Sequence, residues 1–164
     1  MGVVRSAAGI KKVLLPQDDP KDVTRRIKNE FPDASANEPL LRWPATALAA
    51  YFEGKEIVSP LPIDLSSFSD FSQAVWRATQ SISYGTVRPY SWVGKCMKKA
   101  GAARAVGNAL RRNPFPLIVP CHRVIHKDGS LGGFSGLTGT AVKRKLLELE
   151  GVCFDRKGRA LFLR

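Results

Sequence analysis

One short segment of this sequence contains the side chains best suited to covalent chemistry. Cys121 follows Pro120 and comes directly before His122 and Arg123. An isolated thiol is a weak nucleophile, because with a pKa of about 8.5 only a few per cent of it is ionised at neutral pH. A histidine can take the thiol proton, and cationic surroundings stabilise the thiolate. The segment therefore predicts an activated cysteine nucleophile.

The same residues allow two alternatives. A single cysteine at the end of an apolar segment is most often an inert small hydrophobic residue. Cys121, His122 and His126 could instead bind a metal, but the sequence has no Cys-x-x-Cys or His-x-x-x-His pair, and residues 1–95 contain neither Cys nor His. We therefore predict no metal site and no cofactor.

The cysteine count and the hydropathy indicate the compartment. Cys96, Cys121 and Cys153 are the three cysteines of the 164 residues, an odd and sparse set that predicts free thiols rather than a disulfide framework. No apolar run approaches the roughly 20 residues of a membrane helix, and the first residues lack the apolar block of a signal peptide. We expect a cytoplasmic protein that does not interact with membranes.

The positive charge lies in the second half of the chain. Residues 1–70 carry nine Lys/Arg and ten Asp/Glu, whereas residues 71–164 carry 17 Lys/Arg and four Asp/Glu. A field of one sign over one part of a chain attracts polyanions such as nucleic acid. The alternative is a basic surface that only keeps the protein soluble.

The first 62 residues read as a small N-terminal α/β domain. Strands at 3–5 and 10–15 predict a hairpin, followed by a polar helix over 21–29. Pro44 is a favoured first helical residue, so a second helix is predicted from there to Gly54. Two prolines within residues 59–62 predict a linker. The fold class is α/β (α+β), with domains at 1–62 and 63–164.

The second domain reads as a winged helix-turn-helix. Apolar residues at helical spacing predict a first helix, at Phe68, Phe71, Val75, Ala78 and Ile82. Gly101 separates two further apolar stripes, a pattern typical of a helix-turn-helix: Val93, Cys96, Met97 and Ala100, then Ala102, Val106, Ala109 and Leu110. The exposed face of the second of these helices would present polar residues to DNA: Arg104, Asn108, Arg111 and Arg112.

The remaining segments complete this domain. Residues 114–120 are apolar and predict a short buried strand that leads to Cys121. Residues 124–134 contain a turn signal at Lys127–Gly129 and predict the wing. A last helix, with Val142, Leu146 and Leu149 inward, ends at Gly151. The tail 152–163 predicts a small hairpin around Lys157 and Gly158.

These residues resemble a known family. The stretch Arg104-Ala-Val-Gly-Asn-Ala-Leu-Arg-Arg-Asn-Pro-Phe-Pro-Leu-Ile-Val-Pro-Cys-His-Arg-Val-Ile closely resembles the active-site region of the O6-alkylguanine-DNA alkyltransferases, also called methylated-DNA–protein-cysteine methyltransferases. The resemblance covers roughly residues 68–151 well and the N-terminal part loosely. It implies that the chain repairs DNA by taking an alkyl group irreversibly from a flipped O6-alkylguanine, once per molecule.

The resemblance also implies roles for single residues. Cys121 would accept the alkyl group, and His122 would activate it through a water. Glu150, with Glu148 as the other choice, would orient His122. Asn113 matches the hinge asparagine, and Tyr90 matches a tyrosine that crowds the phosphate and helps to rotate the nucleotide.

The DNA contacts follow from the same resemblance. A monomer would bind duplex DNA through its minor groove, with Arg104 inserted where the flipped base was stacked. The predicted DNA-binding residues are Arg104, Ala105, Gly107, Asn108, Arg111 and Arg123. The predicted base pocket consists of Val119, Val124, Phe134 and Ser135.

Some residues depart from the family pattern, and other functions remain open. Ser83 stands where many members have Pro, Arg88-Pro89 makes the approach to Tyr90 unusual, and residues 138–140 extend the loop after Gly136. A non-catalytic binder of alkylated bases would lack Cys121. A winged-helix regulator would have no use for the Pro120–Arg123 segment. A cysteine hydrolase would need an oxyanion loop, and the sequence shows none.

Overall fold

The computed structural model describes residues 1–15, 20–57, 61–134 and 140–162. These form two compact units, Met1–Ser67 with Pro114–Ile118, and Phe68–Asn113 with Val119–Arg164. The division thus lies after Ser67 rather than after residue 62. The first unit also takes Pro114–Ile118 from the predicted second domain, because the amide of Val13 donates to the Pro114 carbonyl at 2.8 Å.

The first unit is a hairpin with two helices. Strands β1 (Gly2–Ser6) and β2 (Gly9–Leu14) pair antiparallel and confirm the predicted hairpin. Helix α1 (Pro20–Glu30) confirms the polar helix. Of the predicted linker at 59–62, residues 59 and 60 lie outside the described residues, and Pro62 is bound to β2 by a 2.8 Å hydrogen bond from the amide of Ile10.

Helix α2 (Glu38–Phe52) begins before the predicted start at Pro44. Asn37 caps it, since its side chain accepts from the amide of Leu40. Pro44 lies inside the helix and cannot donate to the carbonyl of Leu40. The Arg5 side chain donates to that carbonyl at 3.3 Å instead, so the helix continues through the proline.

The second unit confirms the helix-turn-helix. Helix α3 (Asp70–Gln80) is capped by Ser69 and followed by β3 (Arg88–Pro89). Helices α4 (Tyr90–Cys96) and α5 (Ala103–Arg111) form the pair, and the left-handed Gly101, at φ +84°, lies in the turn between them. Cys96 and Ala100, predicted to face inward, are exposed because α4 ends at Cys96.

The segment before Cys121 is buried but is no strand. Residues 114–120 consist of bends, turns and isolated bridge positions. Leu117 has a left-handed φ of 72°, which ends any extended run, and prolines cannot donate to a strand ladder. A 3-10 turn at Cys121–Arg123 follows. The prolines therefore prevent the strand that the β-branched residues of this segment predict.

The predicted wing forms only in part. The turn at Lys127–Gly129 is present, with Gly129 at φ +83° and the amide of His126 donating to Ser130 at 3.0 Å. Strand β4 (Val124–Ile125), however, pairs in parallel with β3 and not with a returning strand. In the tail, Phe154 and Ala160 form an antiparallel bridge, which confirms the small hairpin.

Helix α6 (Ala141–Leu149) buries Leu146 as predicted, but the rest of its inward face differs from the prediction. Val142 is 41% exposed, whereas Lys143 is fully buried beside Leu146 and Leu147. The inward residues follow helical spacing on to Glu150, but two of them are ionisable, so hydrophobic periodicity could not identify this face. Within the described ranges, no helix is long and apolar enough to cross a membrane.

Candidate active site and DNA-facing surface

The active-site cysteine lies at the first position of the 3-10 turn. Cys121 is 5% exposed, and its amide donates to the carbonyl of Val119 at 2.7 Å. Asn113 lies directly beside it: its side-chain amide donates to the Sγ of Cys121 at 3.3 Å and to the Val119 carbonyl at 3.0 Å. The structure thus brings the predicted hinge asparagine and the predicted nucleophile together. All three cysteines are free thiols, as predicted, and Cys96 and Cys153 are exposed.

The protonation state of Cys121 depends on its burial and on two polar neighbours. Burial raises the pKa of the thiol, because a thiolate loses its hydration there. The hydrogen bond from Asn113 and the charge of Lys143 act in the opposite direction but do not outweigh burial. At neutral pH Cys121 is therefore a thiol, and a base is required to ionise it.

The structure places such a base next to a buried carboxylate. His122 is fully buried, and its Nε2 lies 2.7 Å from the Oε1 of Glu150. Glu150 also accepts from Arg123 at 2.9 Å and from the amide of Gly85 at 3.1 Å. Glu148 is exposed and accepts from Arg144. Of the two glutamates considered, Glu150 is the partner of His122.

These contacts determine which nitrogen of His122 carries the proton. Burial would raise the pKa of Glu150, but hydrogen bonds from His122 and Arg123 outweigh it and hold that pKa at about 2. An ionised carboxylate only accepts, so Nε2 of His122 must be the donor and Nδ1 carries the lone pair. Burial lowers the pKa of His122, so the ring is neutral at neutral pH. A neutral imidazole with this tautomer can act as a base.

Arg123 is not on the DNA-facing surface, contrary to the prediction. Its side chain is buried, pairs with Glu150, and donates to the Ile82 carbonyl at 2.6 Å. The guanidinium also lies 5.5 Å from the ring centroid of Tyr84. A charge this deeply buried needs such partners. Arg123 therefore orients Glu150 from within the protein.

Lys143 is the site residue that sequence reasoning missed. Its Nζ donates to the carbonyl of Val124 at 2.5 Å and lies 5.7 Å from the ring centroid of Tyr90. Burial lowers the pKa of Lys143 to about 8, although the thiolate form of Cys121 would act to raise it. Its helical spacing from Glu150 places both residues on one face of the helix, but a search for apolar residues does not select a lysine.

Tyr90, at the start of α4, lines the mouth of the site. Burial raises the pKa of its hydroxyl, so the phenol stays protonated at neutral pH. The chain passes very close to it: a Cβ on Gly132 would lie 2.5 Å from the Tyr90 oxygen. Only glycine allows this approach without a shift of the ring.

The outer face of α5 is exposed. The predicted DNA-binding residues on it are accessible: Arg104, Ala105, Asn108 and Arg111. Gly107 lies above the Tyr90 ring, where a Cβ would make an ordinary 3.7 Å contact, so packing within the chain does not require glycine there. A pocket of about 510 Å³ opens between α5 and the turn after β4, with Arg104, Tyr90 and His126 among its lining residues.

The structure shows the surroundings of three of the four residues predicted to form the base pocket. Phe134 is buried, and its ring forms a T-shaped pair with His122 at 6.1 Å between centroids. Val124 is fully buried and its carbonyl accepts from Lys143. The Val119 carbonyl already accepts two hydrogen bonds, the number its lone pairs allow, so it has none left for a base. Ser135 lies outside the described residues. Among those that are described, no cluster of three His, Cys, Asp or Glu could hold a metal.

Comparisons of this chain with known proteins point to one family. The profile described as "6-O-methylguanine DNA methyltransferase, DNA binding domain" matches residues 70–152. The methylated-DNA–protein-cysteine methyltransferase of Methanosarcina acetivorans is 40% identical over 77% of this chain and 80% of that protein. The profile covers the helix-turn-helix, Cys121 and Glu150.

Solved structures agree with the sequence matches. The Mycobacterium tuberculosis O6-methylguanine methyltransferase superposes with a TM-score of 0.66, with 33% identity over 90% of each chain. The M. tuberculosis OGT in complex with DNA is 44% identical over 65% of each chain, with a TM-score of 0.59. These matches confirm the predicted fold class of an N-terminal α/β domain with a helix-turn-helix domain. The chain belongs to the O6-methylguanine-DNA methyltransferase family and is a DNA-binding repair enzyme, a methylated-DNA–protein-cysteine methyltransferase.

Proposed function

We propose that this enzyme flips an O6-alkylguanine out of duplex DNA and transfers the alkyl group irreversibly to Cys121, so that each molecule reacts once. The observation that supports this most is the buried cluster of Cys121 with Asn113 and the His122–Glu150 pair. A nucleophile inside the protein can only meet a base that has left the helical stack.

The proposed transfer is a single displacement. His122, with its lone pair on Nδ1, takes the thiol proton of Cys121 through a water, and Glu150 stabilises the imidazolium that forms. The thiolate sulfur attacks the alkyl carbon, and the bond from that carbon to O6 breaks with its electron pair moving onto guanine. Guanine then takes up one proton, for which the Tyr90 hydroxyl is the nearest proposed donor. The thioether has no route of hydrolysis, and the reaction needs no cofactor.

On the DNA side, the proposal assigns recognition to the exposed face of α5. Arg104 lines the pocket mouth and is free of the buried network, so it can fill the space that the flipped base leaves. Entry from the minor groove suits a protein that detects damage, because that groove carries little sequence information. That the protein acts as a monomer and in the cytoplasm stays a prediction.

A mass spectrum after reaction with one equivalent of O6-methylguanine duplex tests the proposal. One methyl group should appear on the peptide that contains Cys121, with guanine restored in the DNA. Cys96 and Cys153 serve as internal controls, because both are exposed and should remain unmodified. Cys121→Ala should bind the duplex and acquire no methyl group. Methylation of an exposed cysteine, or repeated turnover by one molecule, would contradict the proposal.

A further inference from the structure

The proposed mechanism makes no use of His126, the second histidine of the chain. It lies at the start of the turn after β4 and is exposed. Two backbone hydrogen bonds fix its position: its amide donates to Ser130, and its carbonyl accepts from Gly129, both at 3.0 Å. Its ring packs against Tyr90, with 5.2 Å between centroids and 52° between planes. The imidazole is therefore held by its surroundings although it faces solvent.

Two polar atoms converge above Gly132. The position that a Cβ of Gly132 would occupy is 2.5 Å from the Tyr90 hydroxyl oxygen and 3.3 Å from the Nε2 of His126. Both side chains also line the pocket of about 510 Å³ beside Gly132, so an oxygen atom of a ligand in that pocket can approach both. An imidazole N–H can donate a hydrogen bond to such an atom, and so can the phenol until its proton passes to guanine in the proposed transfer.

The residues around these two donors favour the binding of an anion. Arg104 and Lys127 line the same pocket, and none of its described lining residues is acidic. The nearby Asp128 is turned into its own loop, where its carboxylate accepts from the amide and hydroxyl of Ser130. Two donors and two cations around one opening match the non-bridging oxygens of a phosphodiester.

We propose that His126 is a DNA-binding residue of this enzyme, which together with Tyr90 holds a backbone phosphate adjacent to the flipped nucleotide. This inference rests on the proposed function. It adds a second fixed donor on the opposite side of the pocket from Arg104. Arg104 would occupy the vacated stack, while His126 and Tyr90 would keep the rotated backbone from returning.

Single methylphosphonate substitutions in the DNA test the contact. Each replaces one charged phosphate oxygen by a methyl group, at the phosphate on either side of the O6-methylguanine in turn. Single-turnover rates are measured for the wild type and for His126→Ala on the unmodified and the modified duplexes. At one of the two positions, the modification should slow the wild type about tenfold, the usual effect of losing a hydrogen bond to a charged group. His126→Ala should show a similar loss on the unmodified duplex, and little further loss when that same phosphate is modified.

Two further variants distinguish a contact to one phosphate from a general loss of positive charge. Lys145→Ala removes an exposed cation of α6 outside the pocket, and its loss should multiply with that of the methylphosphonate rather than replace it. His126→Gln retains an N–H donor and should recover part of the rate. If the losses of His126→Ala and of the methylphosphonates multiply at both positions, the phosphate contact does not exist. A wild type that leaves Cys121 unmethylated on the unmodified duplex would instead overturn the proposed function itself.

Discussion

The buried centre around Cys121 and the exposed face of α5 belong to the same unit but are built differently. In the centre, hydrogen bonds fix the positions of Asn113, His122 and Glu150 before any substrate arrives. On α5, Arg104 and Asn108 extend into solvent. The centre is therefore preorganised for any alkylated guanine that reaches it, whereas the α5 face matters only while that guanine is still in a duplex. Free O6-benzylguanine and an alkylated duplex can separate the two.

The largest expected effect is that of Glu150→Gln. A neutral amide cannot stabilise the imidazolium of His122, and general-base catalysis contributes about 10²- to 10⁴-fold, so transfer should slow by that order with both substrates. The change also leaves the buried Arg123 without its counter-charge, which typically costs about 3–5 kcal/mol of unfolding free energy. Single-turnover rates below the melting transition of the variant, together with thermal melting curves, measure both effects.

Glu148→Gln is the matched control for this prediction. Glu148 is an exposed helical residue two positions away, and its ion pair with Arg144 contributes little to stability. Its rates with both substrates should equal those of the wild type. Equal rates for the Glu150 variant as well would show that His122 does not depend on the carboxylate.

Arg104→Ala should separate the two regions most clearly. Unstacking a base costs a few kcal/mol, which falls on the duplex reaction alone, so duplex repair should slow by about 10- to 100-fold. The rate with free O6-benzylguanine should change much less, because the buried centre is intact. Rates with the two substrates, measured side by side, check this. A similar loss on both would mean that Arg104 acts on the reaction centre and that the α5 face and the buried centre do not act separately.

The sequence predicted the exposed region better than the buried one. Helical periodicity alone placed Arg104, Asn108 and Arg111 on the outer face of α5, because a surface follows from the phase of its helix. The pairing of His122 with Glu150 came from family resemblance. Only tertiary contacts could distinguish Glu150 from Glu148, since both are carboxylates near the end of one helix.

The wrong predictions also have physical causes. Arg123 was predicted to bind DNA, and no role was predicted for Lys143, because charged residues are rarely buried without partners. Their partners are Glu150 and the carbonyls of Ile82 and Val124, which come from distant parts of the chain. At residues 114–120, β-branched residues suggested a strand, but the prolines and the left-handed Leu117 prevent one.

Lys143→Met tests the electrostatic part of the buried centre. Without the ammonium, the pKa of Cys121 should rise, so at neutral pH less thiolate forms and alkyl transfer slows with both substrates. Each unit of pKa corresponds to about a tenfold change, and the loss should disappear as pH rises above the thiol pKa. Stability should be kept or increased, because a buried charge is replaced by an apolar chain of similar length. Rate–pH profiles and melting curves together distinguish this from misfolding, and an unshifted profile would exclude Lys143 from thiol activation.

The smallest expected effect is a loss of stability once Cys121 has been methylated, which links the buried centre to the α5 face. The added methyl group must fit into a close-packed site, where it crowds the Asn113 amide that now lies 3.3 Å from the sulfur, and the thioether lacks the S–H with which the thiol can donate a hydrogen bond. Overpacking and a weakened hydrogen bond each typically cost about 1–3 kcal/mol, which would lower the melting temperature by several degrees. Asn113 lies one residue beyond the C-cap of α5, Arg112, so the strain should also weaken DNA binding after repair. Melting curves and DNA titrations of the unreacted and methylated forms measure both changes, and Asn113→Ala, which has already lost the amide, should show a smaller drop on methylation. Identical melting and binding before and after transfer would mean that the pocket accommodates the methyl group and that the two regions are not coupled through Asn113.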